Sequence, residues 1–371
     1  MSFAGLPVEL VISITAALYD TRDISALMRA NSGLYRSLKR FLYQYNVDFE
    51  NSSGIIRAVR GENLSATSSF LGTERVNLDA RDKDGQTVLH IAAQQGDPAY
   101  MVILLLRDGR VDINATDAHG RTPLSYSAAN PHPSPLTLLL QRQDIDINMA
   151  DAASQTALFH ATKAGNEQAT GLLLNRPDLK AHVLDANYVT PVWYAAAGGH
   201  EGVVNQLLQC PLIEFRPRNE RLSPLITAVD KCHHSVFEIL LLSGKVDQHA
   251  ADPEGRSALW YAVRRRNYAA VQLLIESGVD AGRPGVDGTT PLSLAVAQGD
   301  EDLVRMLLKV TASYRLLCLA ASTGRAHIVQ LLLDHGADID EEDDYGRTPL
   351  DRARKAGHVD VEEVLLKYRS L

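Results

Sequence analysis

Positive charge is in short supply. The chain carries 37 Lys and Arg against 45 Asp and Glu, a formal net charge of −8, so broad nucleic-acid binding has no electrostatic support. Cysteine is scarcer still. Cys210, Cys232 and Cys318 are odd in number and far apart, forming neither a disulfide framework nor a zinc spacing, which fits a reducing compartment, cytoplasmic or nuclear. No basic segment followed by a short apolar run opens the chain, and no apolar run approaches spanning length. Neither a secretory leader nor membrane insertion is therefore expected. A phosphate-cradling glycine loop, a His-Glu-x-x-His and a Cys-x-x-Cys are also missing. His233 and His234 are adjacent, which points their rings apart on a helix, and no third ligand is spaced to join them. No metal, no cofactor and no catalytic set are expected. Aromatic residues make up 6%, with only two tryptophans, Trp193 and Trp260.

What the chain has in abundance is one phrase. It is cleanest at Asp82-Lys-Asp-Gly-Gln-Thr-Val-Leu-His-Ile-Ala-Ala93 and returns with Thr122, Thr156, Thr190, Ser223, Ser257, Thr290 and Thr348 in the Thr slot. Successive spacings are 35, 34, 34, 33, 34 and 33 residues, the period of a small helical hairpin. The last gap is 58, and Arg315-Leu-Leu-Cys-Leu-Ala-Ala321 fills it 25 residues after Thr290. Each residue type has a physical task. Gly85, Gly120, Gly255, Gly288 and Gly346 sit where a tight turn needs positive φ. The Thr or Ser that follows accepts an exposed amide at the start of a helix, and Pro123, Pro191, Pro224, Pro291 or Pro349 occupies a helix position that needs no donor. Ala92-Ala93 and Ala195-Ala196 allow close helix approach, and runs such as Val102-Ile-Leu-Leu-Leu106 give the second helix an apolar face. No single hairpin can bury that face alone, so neighbours must stack into an all-α solenoid.

The phrase resembles the Asp-x-x-Gly-x-Thr-Pro-Leu-His-x-Ala-Ala signature of the ankyrin repeat family, over roughly residues 52 to 371. The resemblance implies an ankyrin-repeat solenoid of about ten helix-turn-helix repeats, the first and ninth degenerate. The chain then divides into 1–50, which does not repeat, and 51–371, the solenoid. Leu6-Pro-Val-Glu-Leu10, apolar residues at Ile14 and Leu18, an Asp23-Ile24 opening a second helix and a closing segment to Tyr45 resemble an F-box. That family uses three helices to dock on the Skp adaptor of cullin-type ubiquitin ligases, which would make Leu6, Pro7, Leu10, Ile14, Ile24 and Leu27 docking and packing positions. The segment departs from the family in having no Trp near Tyr35. A helical cap over the first repeat is the other reading of the same residues, and both can hold.

Departures from the phrase mark the candidate site. In the third repeat Asn130-Pro-His-Pro-Ser-Pro135 replaces the turn, and its prolines are expected to start helix two late. In the ninth the finger is missing, so no hairpin is expected around Thr311 to Tyr314, and Cys318 in the His slot is expected to be a packed structural thiol. The His slot becomes Trp193 in repeat five and Trp260 in repeat seven, each followed by tyrosine, Tyr194 and Tyr261. Repeat five continues with Ala195-Ala-Ala-Gly-Gly199, repeat seven with Val263-Arg-Arg-Arg266. Trp260 with Arg264, and Tyr261 with Arg265, are i, i+4 pairs suited to cation–π contacts. By resemblance, Ala197 and Gly198, Asp230 and Lys231, and Arg264 and Arg265 face the concave groove, with Asn219, Glu220, Leu222, Pro253, Glu254 and Arg256 added from the fingers.

Two functions follow. One is a protein-interaction module, an F-box/ankyrin substrate receptor that captures a protein client in its groove through Trp193, Tyr194, Lys231, Arg256, Trp260, Tyr261, Arg264 and Arg265. The other is a protein that binds a small anionic molecule, or a cofactor-free biosynthetic enzyme, using a pocket between repeats five and seven. Simple packing of the Trp and Tyr residues with a solvated arginine run is the alternative to both.

Overall fold

In the computed structural model, residues 53–370 are described apart from 74, 97, 182–183, 214, 216–222 and 313–314. The F-box-like positions Leu6, Pro7, Leu10, Ile14, Ile24 and Leu27 lie outside the described residues, as do the finger positions Asn219, Glu220 and Leu222 and, in the shortened junction, Ser313 and Tyr314. Twenty α-helices run through the described residues, with no strand beyond one isolated bridge between Ala251 and Ser257. They fall in two compact units that divide between Lys180 and Ala181.

The first unit holds four hairpins: α1 (Ser53–Arg60) with α2 (Leu64–Leu71), α3 (Val88–Ala93) with α4 (Tyr100–Asp108), α5 (Pro123–Ala129) with α6 (Pro133–Leu140), and α7 (Ala157–Ala164) with α8 (Glu167–Leu174). The second holds six: α9 (Pro191–Gly198) with α10 (Glu201–Gln209), α11 (Pro224–Asp230) with α12 (His234–Leu242), α13 (Ala258–Arg264) with α14 (Tyr268–Glu276), α15 (Pro291–Gln298) with α16 (Glu301–Leu308), α17 (Leu317–Ser322) with α18 (Ala326–Asp334), and α19 (Pro349–Ala356) with α20 (Val359–Arg369). Within each unit the first helices of successive hairpins pack in one row and the second helices in another. The helix pairs match the expected all-α repeat architecture one for one, including the degenerate first and ninth members.

The local chemistry is visible at the third repeat. Asp117 Oδ1 accepts the amides of His119 at 2.8 Å and Arg121 at 2.9 Å, which closes the finger turn, and Gly120 takes the required φ of +77°. Thr122 then caps α5 by accepting Ser125 N–H at 3.2 Å, and Pro123 fills the first helical position. His90, in the slot of the preceding repeat, accepts Thr87 N–H at Nδ1, so its Nε2–H is free to donate to the Arg121 carbonyl at 2.9 Å. One imidazole thus ties a helix start to the next finger, and burial holds it neutral by lowering its pKa.

The prolines of repeat three do not delay the second helix. Pro133 takes the first position of α6, eleven residues after the cap Thr122, and Glu167 opens α8 at the same distance after Thr156. The lost turn amides are replaced by the Asn130 amide, which donates to the carbonyls of Gln94 and Gln95 at 2.9 Å each.

The shortened ninth repeat is capped from its neighbour. The N-cap Leu316 gives α17 no side-chain acceptor, and Arg315 before it sits at φ +56°. The missing Thr is replaced by Glu341 of the following repeat, whose Oε1 accepts Cys318 N–H at 2.9 Å. Cys318 is buried, and its thiol points to the carbonyls of Arg347 at 3.5 Å and Glu341 at 3.6 Å, the weak sulfur counterpart of the His90 link. Burial, with Glu341 and Asp343 nearby, pushes the Cys318 thiol up to about 11. Burial also raises the Glu341 carboxyl, opposed by the amides of Cys318, Leu317 and Arg315. A raised folded pKa favours folding below the unfolded carboxylate value, and that contribution disappears as pH rises through the folded one. Glu341→Gln keeps the acceptor and removes the charge. It is expected to leave neutral-pH stability unchanged or slightly higher, whereas Glu341→Ala loses about 1 kcal/mol. Thermal melts of both variants at neutral and mildly acidic pH check this, and equal losses for Gln and Ala would refute the capping role.

Candidate functional site

The candidate site lies entirely in the second unit, on the first helices α9, α11 and α13 and the finger before α13. Its base is a clasp that the finger makes with its own helix. Asp252, with no exposed side-chain surface, accepts Arg256 N–H at Oδ1 (2.7 Å) and both Arg256 Nε–H (2.7 Å) and the Tyr261 hydroxyl (2.8 Å) at Oδ2. Burial works against this carboxylate, but the Arg256 guanidinium and amide and the Tyr261 hydroxyl together hold its pKa below the ordinary value. Burial and the Asp252 bond push the Tyr261 hydroxyl up to about 12, so it stays a donor.

The same clasp recurs nine residues apart. Tyr194 donates to Asp185 and Tyr126 to Asp117, both at 2.7 Å, while His160 Nε2 lies 3.0 Å from Asp151. The residue after the His slot therefore holds the finger to the helix. Tyr194 and Tyr261, expected to line a groove, are clasp residues, and Tyr126 and His160 share that role. The signal was present as an Asp nine residues before a Tyr or His.

On this base stand the two tryptophans. Trp260 is 8% exposed and meets Tyr261 edge to face, with ring centroids 5.2 Å apart. Arg256 covers the indole from the finger at 4.9 Å, and Arg264 lies 5.5 Å from the indole and 4.9 Å from the Tyr261 ring. The Trp260–Arg264 contact forms at the expected spacing, but Arg265 does not join Tyr261. Arg265 instead directs Nε and a terminal nitrogen to Asp230 Oδ1 at 3.1 and 2.9 Å, and Arg264 reaches the same oxygen at 2.7 Å. A carboxylate on the neighbouring first helix outcompetes a ring face, because a charge-assisted hydrogen bond is stronger than an exposed cation–π contact. Trp193 meets Tyr194 edge to face at 5.2 Å, and both are half-buried.

The expected recess of repeat five is occupied by the chain itself. A Cβ on Gly198 would collide with the His200 ring, and one on Gly199, at φ +72°, would lie 2.6 Å from His233 Nδ1. His233 Nε2 meanwhile bonds the Ala197 carbonyl at 3.1 Å. The close approach that these glycines permit is that of two imidazoles, not of a guest. Lys231 ends α11, is exposed, and has no ion-pair partner among the described residues. Pro253 and Glu254 are exposed on the finger, and Glu254 takes Arg256 at 2.8 Å. No group of three or more His, Cys, Asp or Glu side chains among the described residues converges to hold a metal ion. No described helix is long and apolar enough to cross a membrane.

A family model for ankyrin repeats matches residues 55–151, 95–182, 128–219, 158–250, 225–316 and 311–370. A fowlpox virus ankyrin repeat protein, FPV223, is 33% identical over 113 residues, which is 29% of this chain and 80% of that one. The glycerophosphocholine phosphodiesterase GDE1 of Candida albicans is 31% identical over 159 residues, 40% of this chain but only 13% of the relative. Notch homolog protein 1 of Xenopus tropicalis is 33% identical over 125 residues, 31% of this chain and 5% of that protein. The chain thus spans a small part of these two longer relatives. Among solved structures, the ankyrin repeat domain of human ASB11 aligns at 24% identity and a TM-score of 0.47, covering 67% of this chain and 98% of that one.

Proposed function

From the premise that the chain belongs to the ankyrin repeat family, we propose that it is a substrate receptor, docking the Skp adaptor through residues 1–50 and capturing a protein client on its repeats. Ankyrin repeats generally bind protein partners, and the repeats here form such an interaction module. The receptor reading rests on one observation. The Leu6-Pro-Val-Glu-Leu10 segment stands outside the repeat period, while the repeats after it present an exposed cationic edge at Lys231 and at Arg264 and Arg265, the two arginines paired with Asp230. In this role the chemistry of ubiquitin transfer belongs to partner enzymes, and the compartment is cytoplasmic or nuclear. The small-molecule alternative draws no support from repeat five, where His200 and His233 fill the space a guest would need.

The test is co-purification of the full chain with the Skp adaptor. Leu10→Asp with Ile14→Asp is expected to abolish it while circular dichroism shows the repeats still helical. A wild-type chain that never retains the adaptor would remove the receptor reading and leave residues 1–50 with the capping role.

A further inference from the structure

The edge formed by Lys231, Arg264 and Arg265 is a built cationic site, and its partners identify the chemistry it takes. Arg264 and Arg265 leave the end of α13 side by side, and Asp230 at the end of α11 gathers both onto one oxygen. Two guanidinium groups on one carboxylate leave a surplus positive charge, and Lys231 beside Asp230 adds a second. Both arginines remain accessible, with side-chain exposures of 37% and 40%. Arg264 spends only one terminal nitrogen on Asp230 and is held from beneath by the Trp260 and Tyr261 rings. Its planar fork is therefore oriented before any partner arrives, which lowers the ordering penalty of binding.

The positive field is also narrow. Towards α15, Arg266 lies 3.6 Å from Asp300, whose side chain is almost completely buried. On the finger side, exposed Glu254 takes Arg256. A polyanion with evenly spaced charges would meet these carboxylates within the width of two helices. An extended peptide fits better. Neighbouring helices are roughly 8–10 Å apart, while carboxylates on alternate residues of an extended chain are about 7 Å apart, a difference the flexible lysine stem can span.

We propose that Lys231, Arg264 and Arg265 form a docking site for an acidic peptide segment of the client, one with carboxylates on alternate residues. This deepens the receptor reading and rests on it. An incoming carboxylate shares the two arginines with Asp230, an exchange made easy because an exposed ion pair is worth little in water.

The probe is a fluorescein-labelled peptide of alternating glutamate and alanine, titrated onto the full chain by fluorescence polarisation. Wild type is expected to bind with an affinity that falls steeply between about 50 and 300 mM salt. Arg264→Ala with Arg265→Ala is expected to weaken binding by roughly tenfold or more, because two charge-assisted contacts are lost. Lys231→Ala weakens it less, and Glu342→Gln in the distant acidic finger leaves it unchanged. Equal binding by wild type and the double variant, or no binding at low salt, overturns the proposal. So does tighter binding of a DNA duplex of matched charge, or displacement of the peptide by millimolar inorganic phosphate. The receptor reading fails separately, through the adaptor. If the chain retains the adaptor and its client is held equally by the double arginine variant, only the acidic-segment inference falls.

Discussion

Trp260→Ala is expected to lower the stability of the second unit by about 3–5 kcal/mol, the range for removing a large buried aromatic side chain. The indole is 8% exposed and is walled by Tyr261, Arg256 and Arg264. Its Nε1 has no hydrogen-bond partner among the described residues, so truncation breaks no hydrogen bond there and the loss is one of packing. Trp260→Phe should recover most of it. Each repeat of a solenoid leans only on its neighbours, so a lesion in repeat seven should also broaden the unfolding transition. Urea unfolding followed by circular dichroism measures both effects. A loss below about 1 kcal/mol would mean that the indole is a surface ring available to a partner, because such small changes belong to exposed sites. Glutamate-peptide binding discriminates further, since a purely structural Trp260 leaves Arg265 and Lys231 able to bind in any folded molecule.

Asp252→Ala is expected to lose about 3–5 kcal/mol, because removing one partner strands buried donors that were paired. The side chain answers to Arg256 N–H, the Arg256 guanidinium and the Tyr261 hydroxyl at once. Asp252→Asn keeps the Oδ1 acceptor that closes the finger turn and should lose less. The pH dependence has a definite sign. Asp252 and Asp117 both have folded pKa values below the ordinary carboxylate value. Their contribution is therefore present above the unfolded value, near 4, and is lost as pH falls through the lower folded ones. Glu341 runs the other way, since its folded value is raised. Unfolding midpoints measured from neutral pH into acid should fall for wild type and fall less for Asp252→Asn. Parallel curves would show that the finger clasp carries no net electrostatic stabilisation.

The period, the helix pairs and their caps were legible in the sequence, because each depends on residues within a few positions of one another. A Thr accepts an amide three residues on, a Gly takes a left-handed turn, and Pro123 opens a helix whatever its distant neighbours do. The stacking of Arg264 on Trp260 was legible for the same reason, since i and i+4 share a helix face. The finger clasp was written in the chain as an Asp and a Tyr nine apart, but that pairing crosses a turn and follows neither helical nor strand spacing. What only the tertiary structure decided was the choice among competing partners. Arg265 could reach Tyr261 by spacing but takes Asp230, which is 35 residues away and adjacent only because α11 packs against α13. The glycines of repeat five read in sequence as room for a guest, but His200 and His233 lie against them. Glu341 caps a helix that begins 24 residues before it. A fixed period determines which residues recur at a place, but a long side chain settles on the strongest partner within reach. In a stacked repeat, that partner can belong to a neighbouring hairpin, as Asp230 does for Arg265.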